Sequence, residues 1–129
     1  NGVRKYPGRI QGRIYRDVER SLKGGGQAAV RLMKEHPETD GIIAVVDLMA
    51  IGVLHQLQDM GIPVPEQISL IGEDNSNYAE ICRPRLTSLD TKIIDCNVNA
   101  VRTMLDVLEA RKPSHQVVMY MEIVERETT

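Results

Sequence analysis

Two short, mainly apolar runs constrain most strongly what this chain can fold into. Residues 41–46 (GIIAVV) and 68–72 (ISLIG) are rich in β-branched and other apolar side chains and lack a polar alternation. Such runs are typical of strands that are buried on both faces of a parallel sheet. Between them, residues 48–60 have apolar positions at helical spacing and end at Gly61, which predicts a crossover helix. The predicted fold class is therefore α/β, a parallel sheet flanked by helices.

The rest of the chain continues this alternation of strands and helices. The first predicted strand rests on period-2 alternation, and a helix follows the three glycines at 24–26. The predicted elements, in chain order, are strand 13–18, helix 27–35, strand 41–46, helix 48–60, strand 68–72, a short segment around 78–81, strand 86–89, helix 95–110 and strand 116–124.

Ligands of open α/β sheets bind beyond the carboxyl ends of the strands. Three polar loops, at residues 19–26, 46–48 and 73–77, follow predicted strands and should converge at that edge. The glycines at 24–26 could expose backbone N–H groups to an anion, but neither phosphate-binding motif follows them. A flexible entry to a helix is the favoured interpretation of these glycines.

Charge and composition restrict the function. A net charge of −2 over 129 residues leaves no broad basic field for nucleic acid. No apolar run reaches the roughly 20 residues of a membrane helix, and the polar start NGVRK contains no secretory leader. Cys82 and Cys96 lack a close partner spacing and indicate free thiols in a reducing compartment. Scattered histidines and the lack of a nucleophile–base pair predict no metal, no cofactor and no enzyme activity.

Four segments carry a recognisable series of motifs. In chain order they are IAVVDLMAIGVL at 43–54, GIPVPEQISLIGEDN at 61–75, RPRLTSL at 83–89 and IVERETT at 123–129. In order and spacing they resemble the motifs of the LacI/GalR family of transcription regulators. Periplasmic sugar-binding proteins share the first motif and the fold, but usually lack the others.

The resemblance implies a periplasmic-binding-protein type I-like lobe that is incomplete. Residues 1–129 would be a fragment of the effector-binding and dimerisation core, without the DNA-binding headpiece. Residues 13–90 and 116–129 would form the C-terminal lobe of a two-lobed core. Residues 91–115 would be a crossover helix that belongs to the absent N-terminal lobe, so its apolar stripe would lack a partner here.

The resemblance also implies an effector site formed by Val46, Asp47, Glu73 and Asp74. Asp74 matches an effector-contacting aspartate, although an aspartate there could instead cap the loop backbone. Asp47 could contact the effector, but its favoured role is the N-cap of the following helix. Val46 replaces a polar asparagine of the family and Glu73 replaces an aromatic residue, so both usual contacts change.

Leu48 and Ile51 fall outside the predicted core face of their helix, on an otherwise polar surface. The family dimerises through this helix and the segment after the Asp74 loop. The resemblance therefore implies a homodimer interface that includes Leu48, Ile51, Ile81 and Cys82. Scattered surface hydrophobic residues remain the alternative interpretation.

The predicted function is that of a cytoplasmic regulator in which a small molecule, sugar-like or nucleoside-like, binds between the lobes. DNA would be bound only through the absent helix-turn-helix domain. A periplasmic sugar-binding transport protein is the alternative. A phospho-receiver domain is disfavoured, because the required acidic pair and late-strand lysine are not found.

Overall fold

The computed structural model describes residues 12–109 and 117–129, which contain an open sheet of four strands in the order β1-β2-β3-β4. The first three strands are parallel, and β4 runs antiparallel to β3. The strands are β1 (Gly41–Ile43), β2 (Ser69–Glu73), β3 (Thr87–Asp90) and β4 (Glu122–Val124). The predicted α/β fold class is thus confirmed, with one antiparallel edge strand that the sequence pattern had not indicated.

Four helices accompany the sheet within the described residues. They are α1 (Leu22–Glu35), α2 (Asp47–Asp59), α3 (Asn77–Ile81) and α4 (Ile93–Leu108). The core lies where α1 and α2 pack on each other and α2 packs on β2 and α3. Its largest fully buried apolar side chains are Leu54, Leu57, Ile68, Leu70 and Leu86.

Helix α1 begins five residues before the predicted start, so the prediction that the glycines precede the helix is wrong. Ser21 caps the helix, because its Oγ accepts a hydrogen bond from the backbone N–H of Gly24 at 3.0 Å. The glycines lie inside the helix, where they permit a close backbone approach. A Cβ on Gly25 would overlap the carbonyl oxygen of Met49, and one on Gly52 would overlap that of Leu22.

The predicted strand at residues 13–18 does not form. This segment lies against α1 through side chains: the Tyr15 hydroxyl donates to Glu35 Oε2 at 2.7 Å, and the Arg31 guanidinium lies 4.9 Å from the Tyr15 ring centre. A strand is defined by backbone pairing with a neighbouring strand. Alternation of side chains predicted the extended conformation but could not supply that neighbour.

The first buried run forms a shorter and less buried strand than predicted. Within residues 41–46, only 41–43 form a strand, and the Ala44 N–H continues the pairing to the Ile71 carbonyl at 2.9 Å. Ile42 and Ala44 face the core, whereas Ile43 is 78% exposed and Val45 is also exposed. The prediction that β1 is buried on both faces is therefore wrong. Within the described residues, only one face of β1 is covered.

The predicted core face of α2 is mostly confirmed, because Met49, Ala50, Val53, Leu54 and Leu57 are buried. Two residues depart from it. Met60 is exposed, and Ile51 is buried with only 6% of its surface accessible. Helix α2 contacts α1, β2 and α3, and these three neighbours cover a wider arc than a single buried face.

The last helix and strand are also displaced from their predicted bounds. Helix α4 starts two residues earlier than predicted, and none of its residues is buried. Of the described residues in the predicted strand 116–124, only 122–124 form a strand. The predicted end of the helix at Ala110 and the predicted start of the strand at Gln116 lie outside the described residues.

The close contact of α1 and α2 predicts opposite effects for two glycine substitutions. Gly52→Ala should lower the free energy of unfolding by roughly 1–3 kcal/mol, because the added Cβ would overlap a backbone carbonyl that cannot rotate away. Gly26→Ala is the matched control, since its Cβ would stand 3.5 Å from the nearest atom, the Gly52 carbonyl oxygen, in ordinary contact. The control should raise stability by about 0.5–1 kcal/mol through helix propensity. Urea denaturation measures both, and equal stabilities of the two variants would contradict the packing described.

Candidate functional site

The loop after β2 is the centre of the candidate site. Its backbone is left-handed at two consecutive non-glycine residues, Asp74 (φ 103°) and Asn75 (φ 48°). Such conformations are uncommon for residues with a side chain and persist where the surroundings enforce them. They cluster at functional sites, although the conformation alone does not identify one.

Each backbone amide of this loop donates a hydrogen bond to the structure around it. The Asp74 N–H donates to the Leu89 carbonyl at 3.0 Å. The Asn75 N–H donates to Ser88 Oγ at 3.0 Å, and the Ser76 N–H donates to Asp47 Oδ2 at 2.7 Å. Three successive amides are thus satisfied by β3 and by the start of α2, which fixes the loop's path.

Asp47 lies beneath the loop and is only 2% exposed. Its carboxyl group accepts three hydrogen bonds: Oδ2 from the N–H and the Oγ of Ser76 (2.7 and 2.8 Å), and Oδ1 from Ser88 Oγ (2.6 Å). Gly72 leaves the space that this carboxyl group occupies, since a Cβ there would overlap Oδ1. Asp47 therefore ties together the starts or ends of three elements, namely α2, β2 and β3.

The expected N-cap role of Asp47 is wrong. Helix α2 begins at Asp47 itself, and the N-cap residue is Val46, which makes no side-chain capping bond. The carboxyl group is directed to the serines instead. An acidic group in the first turn still interacts favourably with the helix dipole. Val46 is partly buried and packs against the core.

Asp74 is exposed at the rim of the site. Burial of part of its carboxyl group raises its pKa, the nearby charge of Asp47 raises it further, and Arg20 opposes both effects. Arg20 belongs to the segment before α1 and Asp47 begins α2, so the predicted meeting of three polar segments holds for these residues and the loop after β2, although residues 22–26 and 47–48 lie in helices rather than loops. Glu73, the last residue of β2, is half-buried beside them.

Sequence reasoning missed Ser76 and Ser88, which hold the loop, and it assigned no role to Arg126. The Arg126 guanidinium donates to the Asn75 side-chain oxygen at 2.6 Å and to the Leu86 carbonyl at 2.8 Å. Arg126 belongs to the closing motif IVERETT, which indicated the family. The motif did not predict that Arg126 binds Asn75, 51 positions earlier in the chain.

A charged cluster lies where β3 leads into α4. Lys92, in a left-handed conformation, pairs through Nζ with Asp90 at 2.8 Å and with Glu122 at 3.3 Å. Hydrogen bonds from the Lys92 side chain and backbone lower the pKa of the Asp90 carboxyl group. This cluster joins the two antiparallel strands at the end of the sheet where the loop lies.

The residues predicted for a dimer interface divide into two groups. Leu48 is partly exposed and Ile81 is 69% exposed. Tyr78, which was not predicted to belong to the interface, is also exposed and lies three residues before Ile81 in the sequence. Ile51 is part of the core, so its predicted place on the surface is wrong. Cys82 is half-buried, and its Sγ donates to the carbonyls of Ala79 and Pro84 while burial raises the pKa of the thiol.

Within residues 12–109 and 117–129, no group of three or more potential metal ligands occurs. Over the same residues, no helix is long and apolar enough to cross a membrane. The arrangement is that of a loop with an exposed carboxyl group, held by hydrogen bonds from its backbone to β3 and Asp47.

Comparison with known proteins decides the family. A model described as a periplasmic binding protein-like domain matches residues 3–129. The chain belongs to this family. Its curated relatives include the HTH-type transcriptional repressor PurR of Vibrio atlanticus, which is 33% identical over 78% of this chain but only 30% of its own length. The predicted resemblance to LacI-type regulators is confirmed, and the chain spans about a third of the length of such relatives.

Solved structures of the same family agree with this placement. A LacI family transcriptional regulator from Arthrobacter sp. FB24, in complex with lactose, is 34% identical with a TM-score of 0.77, over 87% of this chain and 43% of that one. A LacI family regulator from Enterococcus faecium with bound ribose is 26% identical with a TM-score of 0.76, over 87% and 41% of the two chains.

The hydrogen bonds of Asp47 predict a large stability cost when its carboxyl group is removed. Asp47→Ala leaves three donors around a buried site without their acceptor and should lower the free energy of unfolding by roughly 3 kcal/mol. Asp59→Ala is the control at the exposed other end of the same helix and should change it by less than about 0.5 kcal/mol. Thermal and chemical denaturation give both values. Comparable values for the two variants would show that Asp47 does not connect these elements.

Proposed function

We propose that this chain forms part of the effector-binding and dimerisation core of a bacterial LacI-type transcription regulator. A small sugar-like molecule would bind at the Asp74 loop and thereby control DNA binding by a helix-turn-helix domain outside this chain. The observation that carries the proposal is the exposed carboxyl group of Asp74 on a loop whose backbone is fixed from below.

The chemistry of the loop supports a polyhydroxylated effector. A carboxylate is an acceptor only, and its two oxygens can take hydrogen bonds from a pair of hydroxyl groups. Family members are known with bound lactose and with bound ribose. Val46 offers no polar amide and Glu73 offers no aromatic ring. Glu73 carries a carboxyl group as well, but it is half-buried whereas Asp74 is exposed, so Asp74 would be the main polar contact on this side.

Buried and exposed carboxyl groups would then have separate roles. Asp47 is covered and has hydrogen-bonded oxygens, so it would position the loop rather than contact the effector. Asp74 would contact the effector. The remaining contacts would come from the other lobe of the core. The cytoplasm is the compartment in which such a regulator meets DNA, and the regulator relatives do not favour the alternative of a transport protein.

The proposal predicts that effector affinity depends on the charge of Asp74. Asp74→Asn should weaken binding about 10- to 100-fold, because charge-assisted hydrogen bonds are lost while asparagine still tolerates a left-handed backbone. Isothermal titration of the full-length protein with lactose and with ribose measures the effect. Asp59→Asn, on the exposed end of α2, should bind as the unaltered protein does. If Asp74→Asn and the unaltered protein bind the sugar with equal affinity, Asp74 does not belong to the binding site.

Dimerisation would use the exposed apolar residues near the loop, namely Leu48, Tyr78 and Ile81. They belong to α2 and α3, which contact one another. Exposed apolar side chains grouped in this way are typical of interaction surfaces, whereas single ones are ordinary. Ile51 would support this surface from within the core.

The interface is tested with Ile81→Glu, which places a charge on a side chain that is exposed here and would be buried in the dimer. We expect monomers in analytical ultracentrifugation at concentrations where the unaltered protein is dimeric. Ile14→Glu alters a comparably exposed isoleucine in the segment before α1 and should leave the dimer intact. If Ile81→Glu also remains dimeric, the proposed interface is wrong.

A further inference from the structure

We infer that Arg126 is a positioning residue that holds the Asp74 loop in its left-handed conformation by binding the Asn75 side chain. Only the statement that the loop binds an effector rests on the proposed function. The conformation of the loop itself is a property of the chain without any ligand.

The contacts of Arg126 are specific and largely shielded from water. Its side chain is 9% exposed. One guanidinium nitrogen, Nη2, donates to Asn75 Oδ1 at 2.6 Å, and the other, Nη1, donates to the Leu86 carbonyl at 2.8 Å. Glu80 Oε1, 3.5 Å from Nη2, is on a side chain that is 68% exposed. The short bond to Asn75 is therefore the main link between Arg126 and the loop.

The backbone of Asn75 is left-handed, with φ at 48°, a conformation that is uncommon for residues with a side chain although asparagine tolerates it. Two hydrogen bonds hold the residue in this place. Its backbone N–H is bound by Ser88, and its side-chain oxygen by Arg126. The side-chain nitrogen stands 3.5 Å from Asp90 Oδ2, a weaker contact. Asp74 immediately precedes this anchored residue, so the place of its carboxyl group depends on it.

Arg126 lies in the segment that follows β4, and β2 and β3 fix this segment by hydrogen bonds. The Arg126 backbone N–H donates to Thr87 Oγ1 at 2.8 Å. Two residues later, Thr128 Oγ1 donates to the Leu70 carbonyl at 2.7 Å and accepts from the Thr87 N–H at 2.9 Å. The guanidinium group of Arg126 thus connects the loop to the segment after β4, which is hydrogen-bonded to the sheet.

A lysine could not replace this arginine. The two bonds leave different nitrogens of one planar group, toward partners 11 residues apart in the sequence. An ammonium group is a single point of charge on a flexible stem and lacks the fixed fork of a guanidinium. Arg126→Lys therefore keeps the charge while losing the geometry, which separates an electrostatic role from a positioning role.

Hydrogen exchange of the full-length protein without ligand tests the inference directly. The amides of Asp74, Asn75 and Ser76 are all hydrogen-bonded. In Arg126→Lys and Arg126→Gln, we expect a peptide that covers residues 69–81 to exchange roughly tenfold faster at these sites, while the buried part of α2 is unchanged. Arg85→Gln is the matched control, because Arg85 pairs with Glu127 of the same segment at an exposed site. It should leave the loop unaffected.

The Asn75 side supplies a second test if the arginine variants fold poorly. Asn75→Gly accommodates the left-handed backbone but removes the acceptor and should exchange fast, whereas Asn75→Asp keeps an acceptor for the guanidinium and should stay protected. Unchanged loop exchange in Arg126→Gln, or equal acceleration throughout the protein, would overturn the inference.

Titration with lactose and ribose separates this inference from the proposed function. If the unaltered protein binds one of the sugars, Arg126→Lys should weaken that binding at least about tenfold, although Arg126 is not a contact. Absence of sugar binding by the unaltered protein would count against the proposed function alone, since the exchange of the loop amides decides the role of Arg126 independently.

Discussion

The hydrogen bonds that converge on the carboxyl group of Asp47 are the interaction on which the site depends. A buried carboxyl group is costly unless its oxygens are satisfied, and here Ser76 and Ser88 supply three donors. These two residues come from the loop after β2 and from β3, while Asp47 itself begins α2. One buried group therefore sets the relative positions of three elements, and Gly72 is required because any larger residue would occupy the same space.

The loop above Asp47 has a left-handed backbone at two residues, Asp74 and Asn75, and three of its successive backbone amides are hydrogen-bonded. The guanidinium of Arg126 reaches the same loop from the far end of the chain. In the proposed site, a loop held in this manner would present its carboxyl group to the effector at little further entropic cost, which is the physical advantage of a preorganised contact.

The exposed apolar surfaces fit a piece of a larger assembly. The chain spans 30% of the PurR relative and 43% of the lactose-bound regulator. Within the described residues, one face of β1 is exposed and no residue of α4 is buried. In the proposed regulator, these surfaces would be covered by further parts of the core, whereas Leu48, Tyr78 and Ile81 would meet a second copy. The fixed loop would then form one wall of a cleft between lobes.

The sequence by itself determined the α/β class, the family and the approximate places of most helices and strands. Apolar periodicity and four spaced motifs are local patterns, and they remain readable without knowledge of distant contacts. Tertiary structure alone decided that residues 13–18 lack a partner strand, that Ile51 joins the core, and that the glycines at 24–26 lie inside α1. It also shows that the Asp47 carboxyl group anchors the Asp74 loop, whereas the sequence predicted that this group caps a helix. The anchoring of the loop depends on residues far apart in the chain, since Asp47 and Ser76 are 29 positions apart and Asn75 and Arg126 are 51 apart. Such pairings are set by packing in three dimensions and leave no periodic trace in the sequence.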